Sequence, residues 1–167
     1  GAPMGIGEAV SSGRSVGVPG VLRMLELAHA RHGRLPWKRL FEPAIRLAED
    51  GFTVSPRLHR LIASDPLLRR HPAARAYFYL PDGSALPVGH RLRNPELAAL
   101  LRRIADEGTG AFYLGDIARD IVAAVAAVPR PGDMTGQDLA AYRALGREAI
   151  CGGYRAFRVC GMLPPIS

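Results

Sequence analysis

Lysine is nearly missing from this chain. Of 22 lysines and arginines in 167 residues only Lys38 is a lysine, so arginine carries the formal charge of +7. The arginines run from Arg14 to Arg158 and fall mostly on polar faces of predicted helices. A nucleic-acid binder would gather them into a patch interleaved with aromatics, and the sequence has neither that patch nor a named nucleic-acid motif. A solvated basic surface without a nucleic-acid partner is the expectation. Cysteine is scarce too, and Cys151 and Cys160 are too few to hold a zinc ion alone. The histidines, His29, His32, His59, His71 and His90, show no four-residue metal spacing, and no cofactor pattern is visible. They are expected as ordinary surface groups. No apolar run approaches the length of a membrane span. Gly1–Val10 has neither the basic start nor the apolar stretch of a signal peptide. There is no Gly-x-Ser-x-Gly elbow. Gly13–Gly20, GRSVGVPG, has the glycines of a phosphate-cradling loop without its Gly-Lys-Ser/Thr ending. Close backbone packing ahead of a helix is its expected use.

What is present is helical periodicity. The apolar share of 48% suits one domain with its own core. In Leu35–Ser55, LPWKRLFEPAIRLAEDGFTVS, the residues Trp37, Leu40, Phe41, Ala44, Ile45 and Ala48 recur at three- and four-residue steps and predict one buried helix face. Pro36 suits a first helical position. Gly51 suits a left-handed cap, with Phe52 folding back on Leu47. Pro43 predicts a kink or two short helices. Glu49-Asp50 places two carboxylates at a helix end where the dipole does not favour them.

Other segments follow the same rules. Val16–Val18 is a candidate extended piece. Val21–His32 predicts a helix facing inward through Val21, Leu22, Leu25 and Ala28, with His29 a further candidate for that face, ended by Gly33. Ser55-Pro56 caps a helix through Ala63, Asp65-Pro66 caps a turn through Arg70, and Pro72 closes it. Tyr77–Leu80 and Ala85–Val88 predict a small hairpin about Pro81–Ser84. Asn94-Pro95 opens a helix with Leu97, Leu100, Leu101 and Ile104 inward, ended by Gly108. Gly115-Asp116 opens another, with Ile117, Ile121, Val125 and Val128 inward, ended by Pro129. Thr135 and Asp138 form a capping box for Gly136–Tyr142. Arg147–Cys151 and Tyr154–Met162 predict two strands about Gly152-Gly153. That turn sets Cys151 against Tyr154 and Cys160 against Leu145, so half-buried free thiols are expected, not a disulfide. The predicted fold class is mainly α with a C-terminal β-hairpin.

Four stretches, in order, carry a family resemblance. Leu35–Ser55 is similar to the LPW…EPAI.LA.DGF.VS run in the large subunit of gamma-glutamyltransferases (gamma-glutamyltranspeptidases, glutathione hydrolases). Gly13–Gly20 resembles that family's glycine-rich approach to a helix. Gly132–Tyr142, GDMTGQDLAAY, resembles its G-x-x-T-x-x-D-L-A-x-Y run. Cys160–Ser167, CGMLPPIS, resembles a degenerate opening of its M-P-P-P-S-S-G-G run. The resemblance implies a fragment of an α/β/β/α N-terminal-nucleophile hydrolase fold. Residues 1–167 would be one middle segment of the large subunit, with 1–144 a mainly helical layer and 145–167 a hairpin and the start of a truncated motif. The absent initiator Met and the end at Ser167 are read as interruptions.

The same resemblance implies an autocleaved precursor, periplasmic or extracellular. Its small subunit, the partner of this segment, would carry an N-terminal threonine that attacks a gamma-glutamyl peptide such as glutathione. The threonines here, Thr53, Thr109 and Thr135, lie in no Thr-Thr-His context, and Thr135 reads as a helix cap. Ala2-Pro3 is not the family's Arg-Glu-x-Ala-Pro carboxylate site. Gly152-Gly153 is not its oxyanion glycine pair, which belongs to the small subunit. No catalytic, substrate-binding or metal residue is therefore expected in this segment, and no cofactor. A glutaryl or cephalosporin acylase of the same family, or a non-catalytic helical interaction module, are the alternatives.

Overall fold

Local signals place most helix ends. The computed structural model describes residues 4–10, 12–128 and 130–162. In chain order it contains α1 (Ile6–Val10), α2 (Val21–His32), α3 (Trp37–Asp50), β1 (Phe52–Thr53), α4 (Pro56–Ser64), α5 (Pro72–Phe78), β2 (Arg91–Leu92), α6 (Pro95–Glu107), α7 (Gly110–Tyr113), α8 (Gly115–Ala126), α9 (Gly136–Ala141), β3 (Ile150–Tyr154) and β4 (Phe157–Gly161). Short 3-10 turns occupy Gly13–Ser15 and Leu68–Arg70. Ser55 Oγ accepts from the Leu58 N–H at 3.1 Å and Asn94 Oδ1 from the Leu97 N–H at 2.8 Å. Each satisfies an otherwise orphaned donor of a first helical turn. Thr135 and Asp138 form the reciprocal capping box at α9. Gly51 and Gly108 end α3 and α6 at φ of 81° and 79°, where a side chain would be strained.

Several segments depart from the sequence reading, beginning with α2, where Val21, Leu25 and Ala28 are exposed and Leu22 and His29 are half-buried. Pro36 precedes α3 as its cap, and Pro43 lies inside one continuous helix, not between two. The single backbone bond lost at Pro43 is offset by packing, because α3 and α6 make the most extensive helix contact of the fold. Pro72 opens α5 rather than closing the preceding turn, as suits a residue with no N–H to leave unpaired. α5 then takes up Tyr77 and Phe78, so the expected hairpin there shrinks to one bridge, Tyr79 to Ala85, around a turn with Gly83 at φ 83°. Val16 is extended, as expected, at φ -84° and ψ 115°, and Val16–Val18 joins no ladder. Pro129 and Leu163–Ser167 lie outside the described residues.

The inward face of α3 is narrower than its periodicity. Ala48 is buried and Trp37, Phe41 and Ile45 are half-buried, while Ala44 is exposed and Leu40 is 46% exposed. Trp37 Nε1 donates to the Ile104 carbonyl at 3.3 Å, and its ring meets Phe41 edge-on at 5.0 Å. Phe52 pairs with Leu92 in the β1–β2 ladder, so its backbone is used there. The carboxylate pair ending α3 also has a physical account. Glu49 pairs with Arg102, and the Asp50 carbonyl accepts from Arg91 Nε at 2.7 Å and Arg93 Nε at 3.1 Å. Cations supplied from later in the chain meet this C-terminus. One apolar cluster gathers Val54, Leu86 and Leu92, and a second gathers Tyr113, Ala118 and Leu139 with Leu22 and Tyr142 packed on it.

The C-terminal hairpin differs most. Its turn is Arg155-Ala156, with Arg155 at φ 53°, and Gly152-Gly153 lies within β3. Cys151 is thereby paired with Cys160, and the two form a disulfide with Cα atoms 4.1 Å apart. The expected free thiols are corrected accordingly. Moving the turn three residues along the chain changes every cross-strand partner, and this is what brings the sulfurs together. β3 and β4 form their own two-stranded sheet.

Candidate functional site

A dense knot of polar side chains joins α2 to α7, and no local pattern announced it. Arg23 Nη1 donates to Thr109 Oγ1 at 2.8 Å and to Glu26 Oε2 at 3.0 Å. Thr109 Oγ1 donates in turn to Glu26 Oε1 at 2.7 Å. The Arg23 guanidinium lies 4.6 Å from the centroid of the Tyr113 ring, a cation–π contact. Tyr113 Oη donates to the Pro19 carbonyl at 2.5 Å and accepts from the Arg23 N–H at 3.4 Å. Tyr113 and Thr109 are 0% and 1% exposed. Burial pushes the Tyr113 phenol above its ordinary value. Burial works against the Glu26 carboxylate too, but hydrogen bonds from Thr109 and Arg23, and the charge of Arg23, hold it below the usual range. Arg23 Nε is buried with no partner. Arg23 thus departs from the solvated surface expected of the arginines.

This knot anchors the glycine-rich approach to α2. A Cβ on Gly20 would strike Tyr142 Oη, and one on Gly13 would strike the backbone of Val125 and Gly132. The Gly13 N–H donates to the Arg130 carbonyl at 2.8 Å. These glycines pack against neighbouring chain, in agreement with the expectation for Gly13–Gly20.

Two of the three threonine hydroxyls are occupied, and Thr53 is exposed. Thr109 spends its hydroxyl on Glu26 and Arg23, Thr135 caps α9, and Thr53 sits in β1. His29 lies against Trp37 and bonds the Leu35 carbonyl at 2.8 Å, and His59 Nδ1 lies 2.8 Å from the Leu86 carbonyl. Among the described residues no three His, Cys, Asp or Glu side chains gather to hold a metal ion. No helix of the described residues is long and apolar enough to cross a membrane. A groove of about 320 Å³ between α3 and α6 is lined by Lys38, Arg46 and Arg102 and by Glu42, Glu49 and Asp106. Its charges pair with one another, Lys38 with Asp106 at 2.5 Å and Arg102 with Glu49, so no ligand is needed to neutralise it.

Comparison with known proteins supplies what this geometry does not. Residues 3–167 match the family described as Gamma-glutamyltranspeptidase. The chain is 38% identical to a glutathione hydrolase of Aspergillus flavus over 97% of its length, and 40% identical to an acylase ACY 1 proenzyme of a Pseudomonas species over 96%. It spans 28% of each of those proteins. Its fold superposes on the crystal structure of Helicobacter pylori gamma-glutamyltranspeptidase with a TM-score of 0.85 at 27% identity, covering 93% of this chain and 44% of that one. The ordered motifs, the helical fold and a match running through nearly every residue agree, and the chain belongs to the gamma-glutamyltranspeptidase family.

Proposed function

We propose that this chain is part of the large subunit of an enzyme that transfers or hydrolyses gamma-glutamyl groups of glutathione-like donors. The nucleophile is an N-terminal threonine of a small subunit cut from the same precursor. The observation that carries this reading is a 38% identical match to a glutathione hydrolase over 97% of the chain, against only 28% of that protein. Most of such an enzyme lies elsewhere, and so do the motifs its chemistry needs. Residues 1–144 supply an outer helical layer of an α/β/β/α N-terminal-nucleophile hydrolase fold, and the segment from residue 145 onward supplies a hairpin. The role of Arg23, Glu26, Thr109 and Tyr113 is to hold the glycine-rich segment before α2, and no residue here is catalytic.

The test is to express the full-length protein and assay it with a chromogenic gamma-glutamyl anilide. Turnover is expected, and replacing the threonine of its Thr-Thr-His run with alanine should stop both self-cleavage and turnover. A variant that still matures into two subunits would sink the assignment. A second reading, an acylase, is favoured by the 40% identity to the Pseudomonas acylase proenzyme. A glutaryl amide lacks only the α-amino group of the gamma-glutamyl donor, so rates on the two donors separate the readings.

A further inference from the structure

The C-terminal hairpin has two unlike faces. Side chains alternate along a strand, so the register puts Ile150, Tyr154, Phe157 and Val159 on one face and Cys151, Gly153, Arg158 and Cys160 on the other. The first four are 57%, 60%, 70% and 56% exposed, and they form the face a larger protein would cover. The second face carries a guanidinium that enters no ion pair among the described residues. Burying that charge unpartnered would be costly, which favours this face over the apolar one as the side turned to water. Opposite Arg158 stands Gly153, which has no side chain to screen the neighbouring disulfide. Cys160 is exposed and Cys151 half-buried.

We propose that the Cys151–Cys160 disulfide is a thiol–disulfide exchange site for small anionic thiols, with Cys160 as the sulfur attacked. Arg158 lies two residues before Cys160 on the same face, and its charge draws a carboxylate-bearing thiolate to the exposed sulfur. The thiolate sulfur bonds to Cys160 Sγ as the S–S bond breaks, and Cys151 leaves as a thiolate that takes a proton from water. A second molecule of the same thiol attacks the mixed disulfide. It releases the small symmetric disulfide and leaves Cys160 as a thiol. Two thiols thus give up two electrons to the protein.

The experiment uses the full-length oxidised protein with thioglycolate as the anionic probe and cysteamine as the cationic one. N-ethylmaleimide traps Cys151 before it can close back on the mixed disulfide. Trypsin, cutting after Arg155, then places the two cysteines on separate peptides for mass analysis. The thioglycolate adduct is expected on Cys160 and the maleimide on Cys151. The ratio of thioglycolate to cysteamine rates should fall about fivefold in Arg158→Gln, and by a similar factor when salt is raised in the unchanged protein. Arg158 is exposed, so this variant should fold. An adduct mainly on Cys151, a ratio indifferent to Arg158→Gln, or no reaction before denaturation would overturn the proposal. Maleimide labelling of both cysteines without any added thiol would overturn it as well.

Discussion

Asp116, in the first turn of α8, accepts a hydrogen bond from Arg103 Nη1 at 2.7 Å. That bond, with help from backbone N–H groups, holds its carboxyl at about 2. Because the folded value lies below the unfolded one, the stabilisation is present above about pH 4 and is lost as pH falls through about 2. Carbon-detected NMR titration should place the Asp116 midpoint near there, and Arg103→Gln should move it up towards the ordinary carboxylate range. An unmoved midpoint would remove Arg103 as the cause. Gly13 supplies a second check. A Cβ there meets backbone of Val125 and Gly132, whereas one on Gly17 meets nothing within 4 Å. Gly13→Ala should cost about 1–3 kcal/mol in chemical denaturation, and Gly17→Ala less than about 0.5 kcal/mol. Caps such as Ser55, Asn94 and Thr135 were legible because a cap acts over three residues. Arg23 was not, because its partner Thr109 is 86 residues away and the chain is full of similar arginines.

At the scale of elements, α3 and α6 form the central pair, and Phe41 tests their packing. It is half-buried beside Trp37, so Phe41→Ala should cost about 2 kcal/mol, below the range for a fully buried aromatic. Urea denaturation would read the loss directly. A loss near 4 kcal/mol would mean that Phe41 carries more of the contact than its exposure indicates. Periodicity identified the inward stripe of α3 but made it too wide, because Leu40 and Ala44 fit the spacing and still face outward. Proline was the less readable signal. Pro43 and Pro72 have one local chemistry, yet one is carried inside a helix and the other starts one. Tertiary packing decides between those outcomes. The hairpin failed for a related reason: Gly152-Gly153 has the composition of a turn, and the turn went instead to Arg155-Ala156.

At the scale of the whole molecule, fold and chemistry separate. Every hydroxyl and imidazole considered as a candidate has a structural explanation or lies outside a catalytic motif, so the 167-residue chain alone should not turn over a gamma-glutamyl anilide. Release above that of a heat-killed control would show that an active centre has been overlooked. The family was legible in the sequence because its motifs lie at helix caps and close glycine contacts, where few residue types fit. The polar knot at α2 and the disulfide were not, since both depend on which distant segments meet.

The bracket formed by α3, α6 and the β1–β2 ladder also governs how the chain would behave if cut. The exposed Arg69 and Arg70 lie between α4 and α5, at a natural point for a protease. α3 and β1 precede that point, while β2 and α6 follow it. The Arg91 and Arg93 bonds to the Asp50 carbonyl, the Asn94 N–H bond to the Ala48 carbonyl, and the Tyr79 Oη bond to the Ile62 carbonyl all cross it. A single nick there would sever the peptide without parting the halves. The clipped protein would elute as one particle under native conditions and run as two bands once denatured.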